Sequence, residues 1–470
     1  MKNKAFILLA VFSFFQLRLS AQETENALPG WFYTSKSNDI VAIGVSDIGL
    51  DSAMAIEQAV FRAKTILSFL NHSVAGTFVS TNLGVYNESY YYSSTDMELL
   101  HTVNYFGVLT DSNKVTVTDT FFTDYKEAVV RAFIENKPYD TSASVVFASK
   151  ISRQVGVEKA NRQFVCTHDR ATLSSLSEAK EKQYYEIDLI SNLYESLFSN
   201  GIKKVKQTSL NRNCSYPVKQ VTFKRNINSL DAGLNCEVQN GLWPAIFSSF
   251  VKNISLYAGY YNSSVNLLSS TDIKNRDGNY QSDFNESLQS AKNYNVNNFS
   301  FKPLGISITS ENNLEIGLQC MHDGIKINSG NTTIPTETIH SKQLKEYEKE
   351  NWQIYNNAEF STLISYSNYV ALHGNELSAI ESKGEAMAYN LHTATLVALE
   401  LAKLNTARRL NSSVVSSTNS KIDTHSEIEI SGKSIISQKI AGFNKEFLIY
   451  KPAQRQMIKA RVHLFYIPEN

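Results

Sequence analysis

Cysteine and proline are scarce in this chain, at 4 and 8 of 470 residues. Charge of one sign is missing too, with 45 basic residues against 45 acidic. That balance argues against an electrostatic role on nucleic acid or on anionic lipid. After the first few residues, every apolar run is broken within a few positions by charge, Asn or Ser. This excludes an integral membrane helix in the mature chain. Catalytic signatures are absent as well: there is no phosphate-cradling glycine loop, no His-Glu-x-x-His and no Gly-x-Ser-x-Gly elbow. The segment Gly44-Val-Ser46-Asp-Ile-Gly49 has the wrong spacing for such an elbow, and Ser46 reads as part of a turn. Asp277 to Asp283 lacks the glycine and glutamate of a calcium loop and reads as a polar turn. Acidic pairs are too numerous to nominate a glycosidase dyad. No cofactor is implied.

The first 21 residues have the three parts of an export signal. Lys2 and Lys4 precede an apolar run from Ala5 to Phe15, and Leu19-Ser20-Ala21 ends in a small residue. Cleavage after Ala21 leaves 449 residues (470 less 21), with 42 basic and 45 acidic, because Lys2, Lys4 and Arg18 go with the signal. No cysteine lies near the cut, so lipid attachment there is excluded. The signal looks bacterial and places the mature protein in the periplasm or outside the cell. Tyr (24) and Phe (25) are plentiful, a balance that suits strand-rich domains with polar connections.

The chain divides into three parts beyond the 1–21 signal: 28–137, 138–360 and 361–470. In the first, Asp39-Ile-Val-Ala-Ile-Gly44 reads as a strand and Asp51 as a helix N-cap. The following helix carries Ile56, Ala59, Val60, Ala63, Ile66, Leu67 and Leu70 at helical spacing, with Ala55, Ala59 and Ala63 as a small-residue row. Past the polar stretch 87–94, runs at 98–110, 114–123 and 126–135 form an antiparallel meander. The last part repeats this order. Ser367 to Gly374 matches Ser37 to Gly44, Ala394, Ala398 and Ala402 repeat the alanine row, and strand-like runs follow at 427–436, 438–450 and 457–466. In the middle part, Ile187, Ile190, Tyr194 and Leu197 predict a helix ending at Asn200-Gly201. Trp243, Phe247, Phe250, Val251 and Ile254 predict another, with Trp243 in a core. Residues 261–300, rich in Asn, Ser and Tyr, read as a long loop or insertion, and 299–320 as sheet. Tyr347, Trp352 and Tyr355 lie on a charged, helix-like stretch. The fold class is α+β: two strand–helix–meander modules flanking a strand-rich middle domain with a few helices.

Leu28-Pro29-Gly30-Trp31-Phe32, then Val41-Ala42-Ile43-Gly44, then the helix with Ala55, Ala59, Arg62, Ala63 and Leu67 give the first unit a family likeness. It resembles the lipoprotein-20-like family of bacterial envelope proteins, and the C-terminal unit does so more loosely. The resemblance implies small α+β domains on envelope proteins and no catalytic residues. It implies that the Trp31 opening and the alanine helix are structural. The missing lipid-bearing cysteine departs from the family.

One pattern points to chemistry. Cys166-Thr-His168-Asp169 and Cys320-Met-His322-Asp323 share the spelling Cys-x-His-Asp. On strands, residues two apart share a face, so two such strands side by side would offer Cys166, His168, Cys320 and His322 as a tetrahedral metal site. In an exported protein a Cys166–Cys320 disulfide with a Cys214–Cys236 partner bridge is the rival, and unpaired core thiols are a third reading. The function expected from these observations is non-enzymatic binding of another envelope or surface component, through the modules' sheets or the polar insertion. The alternative is a secreted protein that binds or acts on glycans through aromatic stacking and carboxylates.

Overall fold

The computed structural model describes residues 28–34, 39–89, 92–137, 140, 142–160, 163–176, 182–189, 193–199, 213–221, 238–261, 266–276, 279–289, 297–322, 347, 349–355, 380–410, 417–422, 428–437 and 444–466. The export segment 1–21 and the stretch Ser367 to Gly374 lie outside them. The class is α+β.

The first unit begins with the short helix α1 (Gly30–Tyr33), strand β1 (Ile40–Val45) and helix α2 (Ser52–Asn71). Asp51 caps α2 as its sequence implies: Oδ1 accepts the Met54 N–H at 3.0 Å. The alanine row then does what small residues allow. Ala55, Ala59 and Ala63 are fully buried, and α2 lies so close to β1 that a Cβ on Gly44 would sit 2.6 Å from the Ala63 nitrogen. A long hairpin follows, β2 (Ser73–Ser89) and β3 (Tyr92–Thr110), then β4 (Thr116–Phe122) and β5 (Ala128–Ile134). The antiparallel meander expected over 98–110, 114–123 and 126–135 does not form as such, because β3 pairs with β2 and with the strand Val145–Ala160 while β4 pairs with β5 in a separate sheet. β1, β5 and β4 make a three-stranded antiparallel sheet in that order.

The last unit has the same element order. β15 (Ile380–Ala388) leads into α4 (Leu391–Leu410), then β16 (Ser417–Ile422), β17 (Ile428–Ser437), β18 (Asn444–Pro452) and β19 (Ile458–Tyr466). As β5 pairs with β1 and β4, so β19 pairs with β15 and β18, all antiparallel. Asn390 caps α4 through Thr393, at 2.8 Å. Gly384 faces Ala398 and Ala402 as Gly44 faces Ala59 and Ala63, with no room for a Cβ at either glycine. The strand leading into the helix is therefore 380–388, and Gly384 is the counterpart of Gly44.

The middle region holds a third run of helix, hairpin, hairpin: α3 (Leu242–Tyr261), β10 (Asn266–Arg276) with β11 (Asn279–Gln289), and β12 (Asn297–Ile308) with β13 (Leu314–His322). The expected loop at 261–300 is thus a hairpin. Its polar strands are held on both sides, by β2 and by β17. The helix expected over 187–197 is also a hairpin, β8 (Lys182–Asp188) with β9 (Leu193–Ser199), in which Ile187 stands opposite Tyr194 and Tyr184 opposite Leu197. Backbone pairing of β8 with both the strand Gln163–Leu176 and β9 overrides the three- and four-residue spacing. Likewise Tyr355 belongs to a short strand, β14 (Gln353–Tyr355), on the outer edge of β18.

β6 (Val145–Ala160) and β7 (Gln163–Leu176) complete the large sheet, whose order runs β14-β18-β19-β15-β7-β6-β3-β2-β11-β10-β17-β16. The hairpins that follow the three helices, β2–β3, β10–β11 and β16–β17, lie side by side in it. Two cores form. One joins α2 and α3 to the first unit and the β12–β13 hairpin, and the other packs α4 on β15, β19 and the ends of β3 and β6. No helix among the described residues is long and apolar enough to cross a membrane.

Candidate functional site

The two Cys-x-His-Asp segments are not brought together. Cys166 and His168 are on β7 while Cys320 and His322 are on β13, with β6, β3, β2 and β12 between them in the sheet. On β7 the face argument also fails. A bulge shifts the register, so that Cys166 stands opposite Val157 and His168 opposite Gly156. Cys166 packs against the second core, and the His168 ring lies over Gly156 on the other face. Cys166 carries a free thiol, so the Cys166–Cys320 disulfide is not formed. Burial, then the Asp169 charge, pushes that thiol up to about 12. On β13, Cys320 pairs with Phe301 and His322 with Phe299. Cys214 is buried, and Cys236 and Asp323 lie outside the described residues. No group of metal-ligating side chains occurs among the described residues.

Asp169 instead belongs to a buried polar belt at the seam between the two cores. His101 on β3 stands opposite Val155 on β6, which stands opposite Asp169 on β7. Arg153, two residues along β6, gives Asp169 a fork of two bonds, Nε to Oδ1 at 2.8 Å and Nη2 to Oδ2 at 2.6 Å. Its Nη2 also meets Nε2 of His392 in the first turn of α4. Burial pushes the Asp169 carboxyl up, but the Arg153 charge and hydrogen bonds outweigh it and hold the group below its ordinary value. His101 is fully buried, and among the described residues neither ring nitrogen has a hydrogen-bond partner. Burial, then the cations Lys403 and Arg153, hold it well below the usual histidine range. Lys252 of α3 is buried, and on α4 Lys403 pairs with Glu400 at 3.0 Å. His101, Arg153, Asp169, His392 and Lys403 are all buried, and their contacts tie α4 and β7 to the sheet.

A second buried network locks the first unit. Arg62 donates to Asp47 Oδ1 and to the Val45 carbonyl, each at 2.7 Å, and lies 4.8 Å from the Trp243 ring centre. Glu127 accepts from Tyr216 Oη at 2.6 Å and from the first N–H of α3, Leu242, at 2.9 Å. Burial raises the Glu127 carboxyl despite these bonds. Arg62 is thus a fastening between α2, β1 and α3.

A concavity among the described residues opens outward. It lies between α1, β1, α2, α3 and the β12–β13 hairpin, has a volume of about 50 Å³, and is walled by apolar side chains including Trp31, Ile66, Leu70, Ile246, Phe250 and Ile316. The Leu28-Pro29-Gly30-Trp31-Phe32 opening builds its rim. Pro29 precedes the helical turn, Phe32 and Tyr33 plug inward as buried side chains, and Trp31 stays partly exposed. Trp243 does not reach this wall; it stacks on Phe247 in the core, as its helical spacing suggests.

No family model, curated protein or solved structure matches the chain.

Trp352 is buried beneath Lys451, Lys459 and Arg461, the nearest at 4.5 Å from its ring centre. Nothing in the spelling of the chain marks His101 or Arg153 as belt members. Their signal is a charged or polar residue in an otherwise inward-facing strand position, readable only once the strand faces are known.

Proposed function

We propose that this is an exported, non-enzymatic envelope protein of the lipoprotein-20-like kind, released by cleavage after Ala21, that binds another envelope or surface protein. The observation that carries the reading is the Trp31 concavity. Its lining is almost wholly apolar, which suits neither the hydroxyls of a glycan nor a charged ligand. Its size is about a third of the roughly 150 Å³ cavity that accepts benzene. An acyl chain does not fit such a space, whereas the end of one branched aliphatic side chain does. An anchor of that kind, set in an apolar pocket and rimmed by an exposed aromatic, is how protein interfaces concentrate their binding energy. The buried networks support the same reading, because their charged groups are spent on each other and present none to solvent. The test is cross-linked capture from envelope extracts with wild-type protein and with Ile66→Phe, which fills the concavity from below. A partner recovered by the first and lost with the second supports the proposal. Equal recovery by both, or no partner at all, counts against it.

A further inference from the structure

The outer edge of β4 is open, and its counterpart in the last unit is not. β4 and β18 hold equivalent places, each the strand beyond the unit's last. On β18 the outer edge is covered by β14, with Gln353, Ile354 and Tyr355 opposite Tyr450, Ile449 and Leu448. On β4, Thr116–Phe122 pair with β5 alone, and among the described residues no strand covers the other side. The bonds that its side chains make, Thr118 to the Arg131 carbonyl and Asp119 to Arg131 at 3.6 Å, both run back to β5. Yet the strand contains neither lysine nor proline, the usual guards of an open edge, and Val117 and Phe122 are each 41% exposed.

We infer that this edge pairs with the same edge of a second copy of the chain, β4 against β4 in antiparallel sense about a two-fold axis at Thr120. The strand's own pattern argues for itself as the occupant. A register shift between Val117 and Asp119 sets Val117, Thr120 and Phe122 opposite Ala132, Val130 and Ala128, on one face, and Asp119 and Phe121 opposite Arg131 and Val129, on the other. Centred on Thr120, self-pairing keeps those faces in phase. Thr120 meets Thr120 of the copy, Phe121 meets Asp119, and Phe122 meets Val117 across the bulge at Thr118. Threonine pairs and aromatic–β-branched pairs are favourable across antiparallel strands. Like charges do not face one another, because Asp119 falls opposite Phe121. The paired face joins the two exposed apolar side chains of one copy to those of the other. β1 is the far strand of this sheet, so the Trp31 concavity beside it stays open, and a dimer presents two of them. The contact is shorter than a stable interface of about 800 Å² per partner requires, so the association is reversible and concentration-dependent.

Sedimentation equilibrium of the mature full-length chain, over a series reaching the upper micromolar range, tests this. The wild type is expected to move from monomer to dimer. Thr120→Lys and Thr120→Asp, each placing like charges face to face, are expected to stay monomeric with unchanged circular dichroism and melting. An equimolar mixture of the two is expected to associate again. A wild type that is monomeric throughout overturns the inference. So does a dimer indifferent to both substitutions, or a mixture that fails to associate.

Discussion

Replacing Gly384 by alanine tests the close helix–strand packing that makes the first and last units alike. A Cβ there would lie 3.0 Å from the Ala398 carbonyl carbon and nearer still to the Ala398 oxygen and Ala402 nitrogen. These are backbone atoms of a 20-residue helix, so no rotamer change relieves the clash. Ordinary contact begins near 3.4 Å, so α4 must retreat along the face where Ala394, Ala398 and Ala402 are fully buried. Overpacking of this kind costs about 1–3 kcal/mol, and more when backbone is the obstacle; we expect about 3 kcal/mol. Gly44→Ala, which meets Ala63 at 2.6 and 2.9 Å and the Ala59 carbonyl oxygen closer still, should cost a similar amount. Gly30→Ala has nothing within 4 Å of the new atom and should be neutral. Urea unfolding followed by circular dichroism and by fluorescence gives the comparison. Trp31 and Trp243 pack in the first core, and Trp352 beside β18 and β19 reports on the last unit. A Gly384→Ala protein within about 0.5 kcal/mol of wild type, or a Gly30→Ala protein as damaged as Gly384→Ala, would refute the packing argument.

Three further outcomes follow from the buried charges. Asp169→Asn leaves the Arg153 guanidinium without its carboxylate and should cost about 3–5 kcal/mol, whereas Arg153→Met with Asp169→Leu should be nearly neutral; urea midpoints of the single and double variants decide this. Burial, opposed by the Glu381 carboxylate 3.9 Å away, holds His463 down at about 4 from its ordinary 6.5, and burial depresses His101 in the same direction. The unfolded chain therefore takes up these protons first, and stability falls as pH drops from about 6.5 towards 4, by about 3 kcal/mol from His463 alone. A urea midpoint flat across that window would contradict the assignment, and His463→Leu should remove about 3 kcal/mol of the fall while the part due to His101 remains. Finally, the Cys166 thiol, raised to about 12, should resist alkylation at pH 8 in the folded protein and react once urea unfolds it, as read by peptide mapping; rapid labelling of the native chain would contradict its burial.

The elements legible from the amino acids were those with a local physical cause. Asp51 signalled a helix start because its carboxylate meets a free N–H. The Ala55/Ala59/Ala63 and Ala394/Ala398/Ala402 rows signalled close approach, and both helices occur where they were expected. What local spacing hid was set by distant partners. Ile187 and Tyr194 suit a helix face as well as a cross-strand pair, and the hairpin prevails because β7 holds β8 along its length. Asn266 to Gln289 looks like loop until β2 and β17 are seen to flank it. The Cys-x-His-Asp pattern misled because one bulge at Thr167 turns the two side chains to opposite faces. The place of Trp31 at the rim of a concavity was not legible, because it depends on Ile246, Phe250 and Ile316, far along the chain.

The central claim is that an envelope partner seats an aliphatic side chain in the concavity beneath Trp31. It is tested most directly by placing a photo-reactive phenylalanine analogue at position 31 and irradiating intact cells. The account predicts one discrete adduct with another exported protein, lost when Ile66→Phe fills the concavity. Irradiation that leaves the protein free of adducts, or an adduct that persists with Ile66→Phe, would contradict it.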